Sequence, residues 1–209
     1  MTAAGDQQPS DEALMARCQT GDYEAFEALY ERYHRPIIAF VFQMTRHADD
    51  AACITQSAFM KLFEHRTSFD AKRSFRAWFY RVARNATLDY LAKHRKRGHY
   101  FFTDFERMSR YEDDDRSFQP EDDQPAVAHV LQSSEAAEHL RTALERLPAM
   151  YQEIVDLIAF RDMSYEEASQ LLGGTSLGTL RSRMYHALRR LRKELTDIAG
   201  QDGTQLLNE

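Results

Sequence analysis

Nowhere in this sequence do about eighteen apolar residues run together, the minimum for a membrane-spanning helix. The first residues, MTAAGDQQPSDE, lack the basic-then-apolar order of a secretory signal. The expected compartment is therefore the cytoplasm, with no membrane partner. Cysteine is almost missing: Cys18 and Cys53 stand far apart with no ligand spacing, so neither a disulfide framework nor zinc is implied. Only eight glycines and five prolines punctuate 209 residues, and no run alternates for long in the manner of a strand. Enzyme signatures are missing too. There is no phosphate loop, no HExxH, and no Ser or Cys in a nucleophile setting, and the eight histidines are scattered. No catalytic residue, metal or cofactor is expected.

What is present suits a helical protein with a core: 43% hydrophobic residues, including thirteen Phe and ten Tyr. The expected fold is all-α, with two small helical domains joined by an acidic flexible linker, the second a helix-turn-helix. Phe26, Leu29, Tyr30, Tyr33, Ile37, Phe40, Val41 and Met44 recur at three- and four-residue steps. Gly21-Asp22 marks a turn and a cap before them, and Pro36 predicts either a new helix or a kink. Further helices carry Ile54, Ala58, Phe59, Leu62 and Phe63, then Phe75, Trp78, Phe79, Val82 and Ala86. Residues 10–97 form the first domain on this reading.

Residues 98–134 lose the periodicity and fill with acids, Ser, Gln and two prolines, which predicts the linker. In the second domain, 135–198, Ser164-Tyr165-Glu166-Glu167 is a capping box opening a short helix. Gly173-Gly174 stops it, and a longer helix follows with Leu180, Met184, Leu188, Leu191 and Leu195 on one side.

The net charge of −6 conceals two basic blocks. Residues 72–97 hold nine Lys and Arg against one acid, Asp89; residues 181–193 hold six and no acid. An acidic stretch with Asp113-Asp114-Asp115 and Glu121-Asp122-Asp123 lies between. In the second block, small polar residues precede long donors, the order a recognition helix needs in a major groove. An ordinary hairpin with a solvated basic face is the plainer reading. In the first block, Trp78, Phe79 and Tyr80 are consecutive and spread over about 200° of helix surface. One ring should therefore be exposed beside Arg81, Arg84 and Asn85, as in sites where bases stack on aromatics. Burial is expected for Trp78 and Phe79, which leaves Tyr80 as the candidate.

SFRAWFYRVARNATLDYL, together with SYEEASQLLGG and LGTLRSRMYHALRRLRKEL, resembles a bacterial RNA polymerase sigma factor of the extracytoplasmic-function group, in the sigma-70 family. The resemblance spans nearly the whole chain apart from its termini and the acidic linker. It implies a first domain that docks on core polymerase (β′ and β subunits) and opens the −10 element of promoter DNA. The second domain would read the −35 element. Carried over by position, Thr175, Ser176, Arg181, Ser182, Arg183 and Tyr185 would face −35 DNA. Phe69, Lys72, Phe75, Tyr80, Arg81, Arg84 and Asn85, with the loop Ser68–Ser74, would capture the opened −10 strand. One departure is the turn Gly173–Leu177, one residue longer than the family's usual form.

A second departure concerns the polymerase-docking helix, where Asp50, Cys53, Gln56 and Ser57 are the candidate contacts. The family pattern resembles Asp-Ala-Glu-Asp-Leu-Thr-Gln-Glu. Here Ala52, Cys53 and Ser57 replace three acids. The resemblance is to a subset lacking these acids and controlled by Ser/Thr kinases, so a Ser/Thr protein kinase joins the expected partners, with an anti-sigma factor as a further one. A phosphoryl group would restore about −1.5 to −2 of charge. Thr55 and Ser57 are the candidate acceptors, Thr55 ahead of Ser57: the resemblance favours Thr55, while helix geometry puts Thr55 toward the apolar stripe and Ser57 on the polar side. A stand-alone helix-turn-helix regulator, or a sigma-like decoy that titrates a partner, is the alternative function.

Overall fold

A computed structural model describes residues 8–94 and 134–205, with side chains through Ile198. The chain divides into two compact units, parting near residue 101. All regular structure among the described residues is helical. The expected linker, 98–134, lies outside the described residues apart from Ser134, as do Arg95, Lys96 and Arg97 of the first basic block.

In the first unit, α1 spans Asp11–Gln19, α2 Tyr23–Thr45, α3 Ala48–Glu64 and α4 Phe75–Lys93, with a single 3₁₀ turn at Arg66–Ser68. Each start has a local cause. The Ser10 hydroxyl accepts the Ala13 amide, the Asp22 carboxylate accepts those of Glu24 and Ala25, and Ser74 accepts that of Ala77. Hydrogen bonds from the Ala25 amide and Arg17 hold the Asp22 carboxyl below the usual carboxylate range. Gly21 takes the left-handed backbone (φ 91°) that the α1–α2 turn requires.

Pro36 neither starts a helix nor ends one. α2 runs through it without interruption, although proline has no N–H to return to the Arg32 carbonyl. Packing supplies the reason: Tyr33, Ile37, Phe40 and Val41 are all buried around it, and tertiary burial outweighs the loss of one backbone bond.

The second unit contains α5 (Ser134–Glu145), α6 (Ala149–Val155), α7 (Tyr165–Leu171) and α8 (Leu177–Gln205), so its last helix outruns the expected end at 198. α6 widens into a π turn at Asp156–Phe160. The Arg161 amide returns to the Asp156 carbonyl at 3.0 Å, and the Arg161 Nε donates to Asp156 Oδ2 at 2.6 Å. Both side chains are nearly covered, at 11% and 6% exposure, so removing either would strand a buried charge. The capping box at Ser164 and Glu167 forms in both directions. Leu140, Leu147, Ile154, Leu157, Leu171, Leu180 and Met184 make the core.

Candidate nucleic-acid and polymerase interfaces

α8 enters from a turn with little freedom. Gly173 and Gly174 both have left-handed backbones, φ 78° and 88°. The Gly174 amide reaches the Ser169 carbonyl at 2.8 Å, Ser169 Oγ donates to the Thr175 carbonyl at 2.7 Å, and Thr175 Oγ1 donates to the Leu172 carbonyl at 3.0 Å. Ser176 caps α8 by accepting the Thr179 amide. Of the residues expected at −35 DNA, Arg181 and Tyr185 are exposed and Ser182 and Arg183 half-buried. The hydroxyls of Thr175 and Ser176 are engaged in the turn and cap, so these two shape the entry of the helix. Beneath them Leu180, Met184, Ala187 and Leu191 are buried. The Arg181 guanidinium lies over the Tyr165 ring, 5.6 Å from its centroid. Tyr165, at the start of α7, thus braces a candidate reading residue; only its place in the capping box drew notice to it in sequence.

The −10 candidates fall into two sets. Lys72, Arg81 and Asn85 are exposed and Arg84 half-buried. Phe69, Phe75 and Tyr80 are 5%, 0% and 3% exposed, so they are core residues and not a stacking surface. The expectation for the three consecutive rings is corrected in the same way: Phe79 and Tyr80 are buried, and Trp78 is the half-exposed one. The cause is the width of α4's contact. α1, α2 and α3 all pack on it, and Tyr33 and Phe40 of α2 close over Tyr80 edge-on. Trp78 instead tilts over Phe69, 5.1 Å between centroids, beside the loop that precedes α4. In that loop Asp70–Arg73 are exposed. Asp70 Oδ1 accepts the Lys72 amide at 3.0 Å and the Asp70 carbonyl that of Arg73 at 2.9 Å.

On α3 the three positions where acids were expected, Ala52, Cys53 and Ser57, are exposed, as is Gln56. Asp50 is turned partly inward and accepts the Tyr90 hydroxyl at 2.7 Å, tying α3 to α4. Ser57 Oγ donates to the Cys53 carbonyl at 3.0 Å, one turn back. Thr55 is 1% exposed, and its Oγ1 finds no hydrogen-bond partner among the described residues. The acceptor favoured by resemblance is thus closed to a kinase in this fold, and the one favoured by geometry is open. Next to this face, α2 and α3 enclose an aromatic groove of about 590 Å³, lined in part by Tyr23, Tyr30, Phe59, Met60 and Phe63. Burial pushes the Cys18 thiol above its ordinary range, while Cys53 is open to solvent.

Among the described residues no cluster of His, Cys, Asp and Glu could hold a metal, and no helix is long and apolar enough to cross a membrane.

Residues 29–97 match the model of Sigma-70 region 2, and residues 137–191 that of Sigma-70, region 4. RNA polymerase sigma factor YlaC of Bacillus subtilis is 28% identical over 173 residues, 83% of this chain and 93% of that protein. The ECF RNA polymerase sigma factor SigW of the same species is 27% identical over 85% of this chain and 92% of its own length. Among solved structures, sigma factor RpoE in complex with anti-sigma factor NepR, from Bartonella quintana, aligns with a TM-score of 0.55 at 25% identity, covering 82% of this chain and 96% of that one.

Proposed function

We propose, from the premise that this chain belongs to the sigma-70 family and to its extracytoplasmic-function group, a division of labour among its exposed faces. The chain directs RNA polymerase to promoters. α3 docks on the β′ subunit of core polymerase, the loop before α4 with Lys72, Arg81, Arg84 and Asn85 takes the opened −10 strand, and the face of α8 bearing Arg181, Arg183 and Tyr185 reads the −35 duplex. The observation that carries this reading is the pairing, in family order, of a region 2 unit with a separate region 4 unit whose recognition helix presents exposed arginines. An anti-sigma factor is a further partner of the same scheme, as in the complex containing the Bartonella relative.

Polymerase docking is governed by phosphorylation of Ser57. Against a cationic partner surface the three uncharged residues would each forgo a charge-assisted contact worth roughly 1.5–3 kcal/mol. A phosphate on Ser57 would return the charge and sit one turn before Lys61, the favourable order for an i,i+4 pair.

Run-off transcription with purified core polymerase on a library of genomic fragments tests both statements. Core plus Ser57→Glu should start transcripts that core alone does not, and the unmodified chain should need about ten- to a hundredfold more protein. Thr55→Val should keep full response to the kinase and Ser57→Ala should lose it. Failure of every form to start transcription would leave the helix-turn-helix regulator or the decoy standing. Equal activity of the unmodified chain and Ser57→Glu would remove the switch alone.

A further inference from the structure

The loop that precedes α4 is held at both ends by α1. At its entry, the Gln19 side-chain amide donates through Nε2 to two main-chain carbonyls, Arg66 at 2.9 Å and Phe69 at 2.8 Å. At its exit, Glu12 Oε1 accepts the Phe75 amide at 3.0 Å, one of the donors that the first turn of α4 cannot pair internally. These contacts join residues 47, 50 and 63 positions apart. Phe69 and Phe75 are buried, 5.8 Å apart edge-on, and between them Asp70–Arg73 project as an exposed tip.

α1 is itself fixed. Asp11 is bound by the Tyr33 hydroxyl and by Arg32 of α2, while Leu14, Met15 and Cys18 are buried. Burial of the Tyr33 ring and its bond to Asp11 raise the phenol far above its ordinary range, which keeps its proton on as the donor of this tie. α1 also lies ahead of the residues matched to Sigma-70 region 2, which begin at 29.

We propose that Gln19 and Glu12 are positioning residues for −10 strand selection: α1 presets the backbone of the 66–75 loop, so that its tip meets the opened strand in one geometry. The inference rests on the assignment of that loop to the −10 element. Its physical basis is pre-organisation, since a four-residue tip strung between fixed ends has little conformational freedom left to lose on binding. Gln19 suits the task because one amide nitrogen carries two hydrogens and can bridge two carbonyls, that of Phe69 and that of Arg66, which also accepts the Phe69 amide at 3.3 Å. A carboxylate at the same place would repel both.

The test uses the full chain assembled with core polymerase, in the Ser57 and Ser57→Glu backgrounds so that loading does not limit the result. Single-stranded DNA with six randomised positions is the probe, and the retained strands are sequenced. The parent should enrich one short sequence. Gln19→Glu should flatten that preference by about tenfold, the equivalent of two lost hydrogen bonds, and Glu12→Ala, which loses one, by about threefold, with core affinity changed less than twofold in both. Glu12→Gln keeps an acceptor for the Phe75 amide and should restore selection, which a loss of folding alone would not allow. If Gln19→Glu fails to fold, Gln19→Met removes the donors without adding charge and should flatten selection likewise. Undiminished enrichment by these variants overturns the positioning role, whereas a parent that enriches nothing overturns the −10 assignment and the inference with it.

Discussion

The two candidate DNA-reading elements are built in opposite ways. In the second unit the readers stand on a helix: Arg181 and Tyr185 project from α8, whose other side is core, and their spacing is set by helix geometry. In the first unit the reader is a loop tip, Asp70–Arg73, whose shape is set by α1 and by two buried phenylalanines. A helix carries its own register; a loop must borrow one. Substitution should therefore harm the first reader mostly through its supports and the second mostly through its own side chains.

The widest separation between the units should come from Phe75→Ala. Phe75 is fully buried against Tyr33, Phe69, Trp78 and Phe79, so its loss should cost about 3–5 kcal/mol. Urea unfolding followed by tyrosine and tryptophan fluorescence should show the first unit melting early. Binding of a −35 duplex should persist; its loss in step would mean that the units do not fold separately. Arg181→Ala is the converse experiment. It should weaken −35 duplex binding by about 1–3 kcal/mol and leave both core affinity and the first unit's stability unchanged. Ser164→Ala should have the smallest effect, about 1 kcal/mol, through the cap of α7. It should lower the midpoint of the second unit alone and weaken −35 binding only in proportion to the unfolded fraction.

How much could be read from the sequence follows the same contrast. The basic helix, the capping box and the glycine turn were legible because every relation involved lies within a few residues. So was the placement of Ser57 outward and Thr55 inward, which needs only the period of a helix. Tyr80 was misjudged because a wheel drawn for α4 alone cannot show that three helices pack on it, so that its buried residues span an arc of about 200° that includes Tyr80. Pro36 was read by its local rule as a new helix or a kink, and the first of these is overridden because α2 continues through it. Gln19 and Glu12 gave no signal at all: each is an ordinary polar residue until the fold brings a distant carbonyl or amide to it. The Asp156–Arg161 pair, only five residues apart, was hidden for another reason, since helical spacing does not anticipate a π turn.

The turn before α8 has a mechanical consequence. α8 continues for 29 residues, about 43 Å at 1.5 Å per residue, so a small change of direction at its start grows along its length. Arg192 sits fifteen residues beyond Leu177, roughly 22 Å from the start of the helix. A tilt of about ten degrees there would carry that side chain about 4 Å, farther than the reach of a hydrogen bond. The three bonds that close the turn, with the buried Leu180, Met184, Ala187 and Leu191, therefore set where the exposed Arg189, Arg190, Arg192 and Lys193 stand.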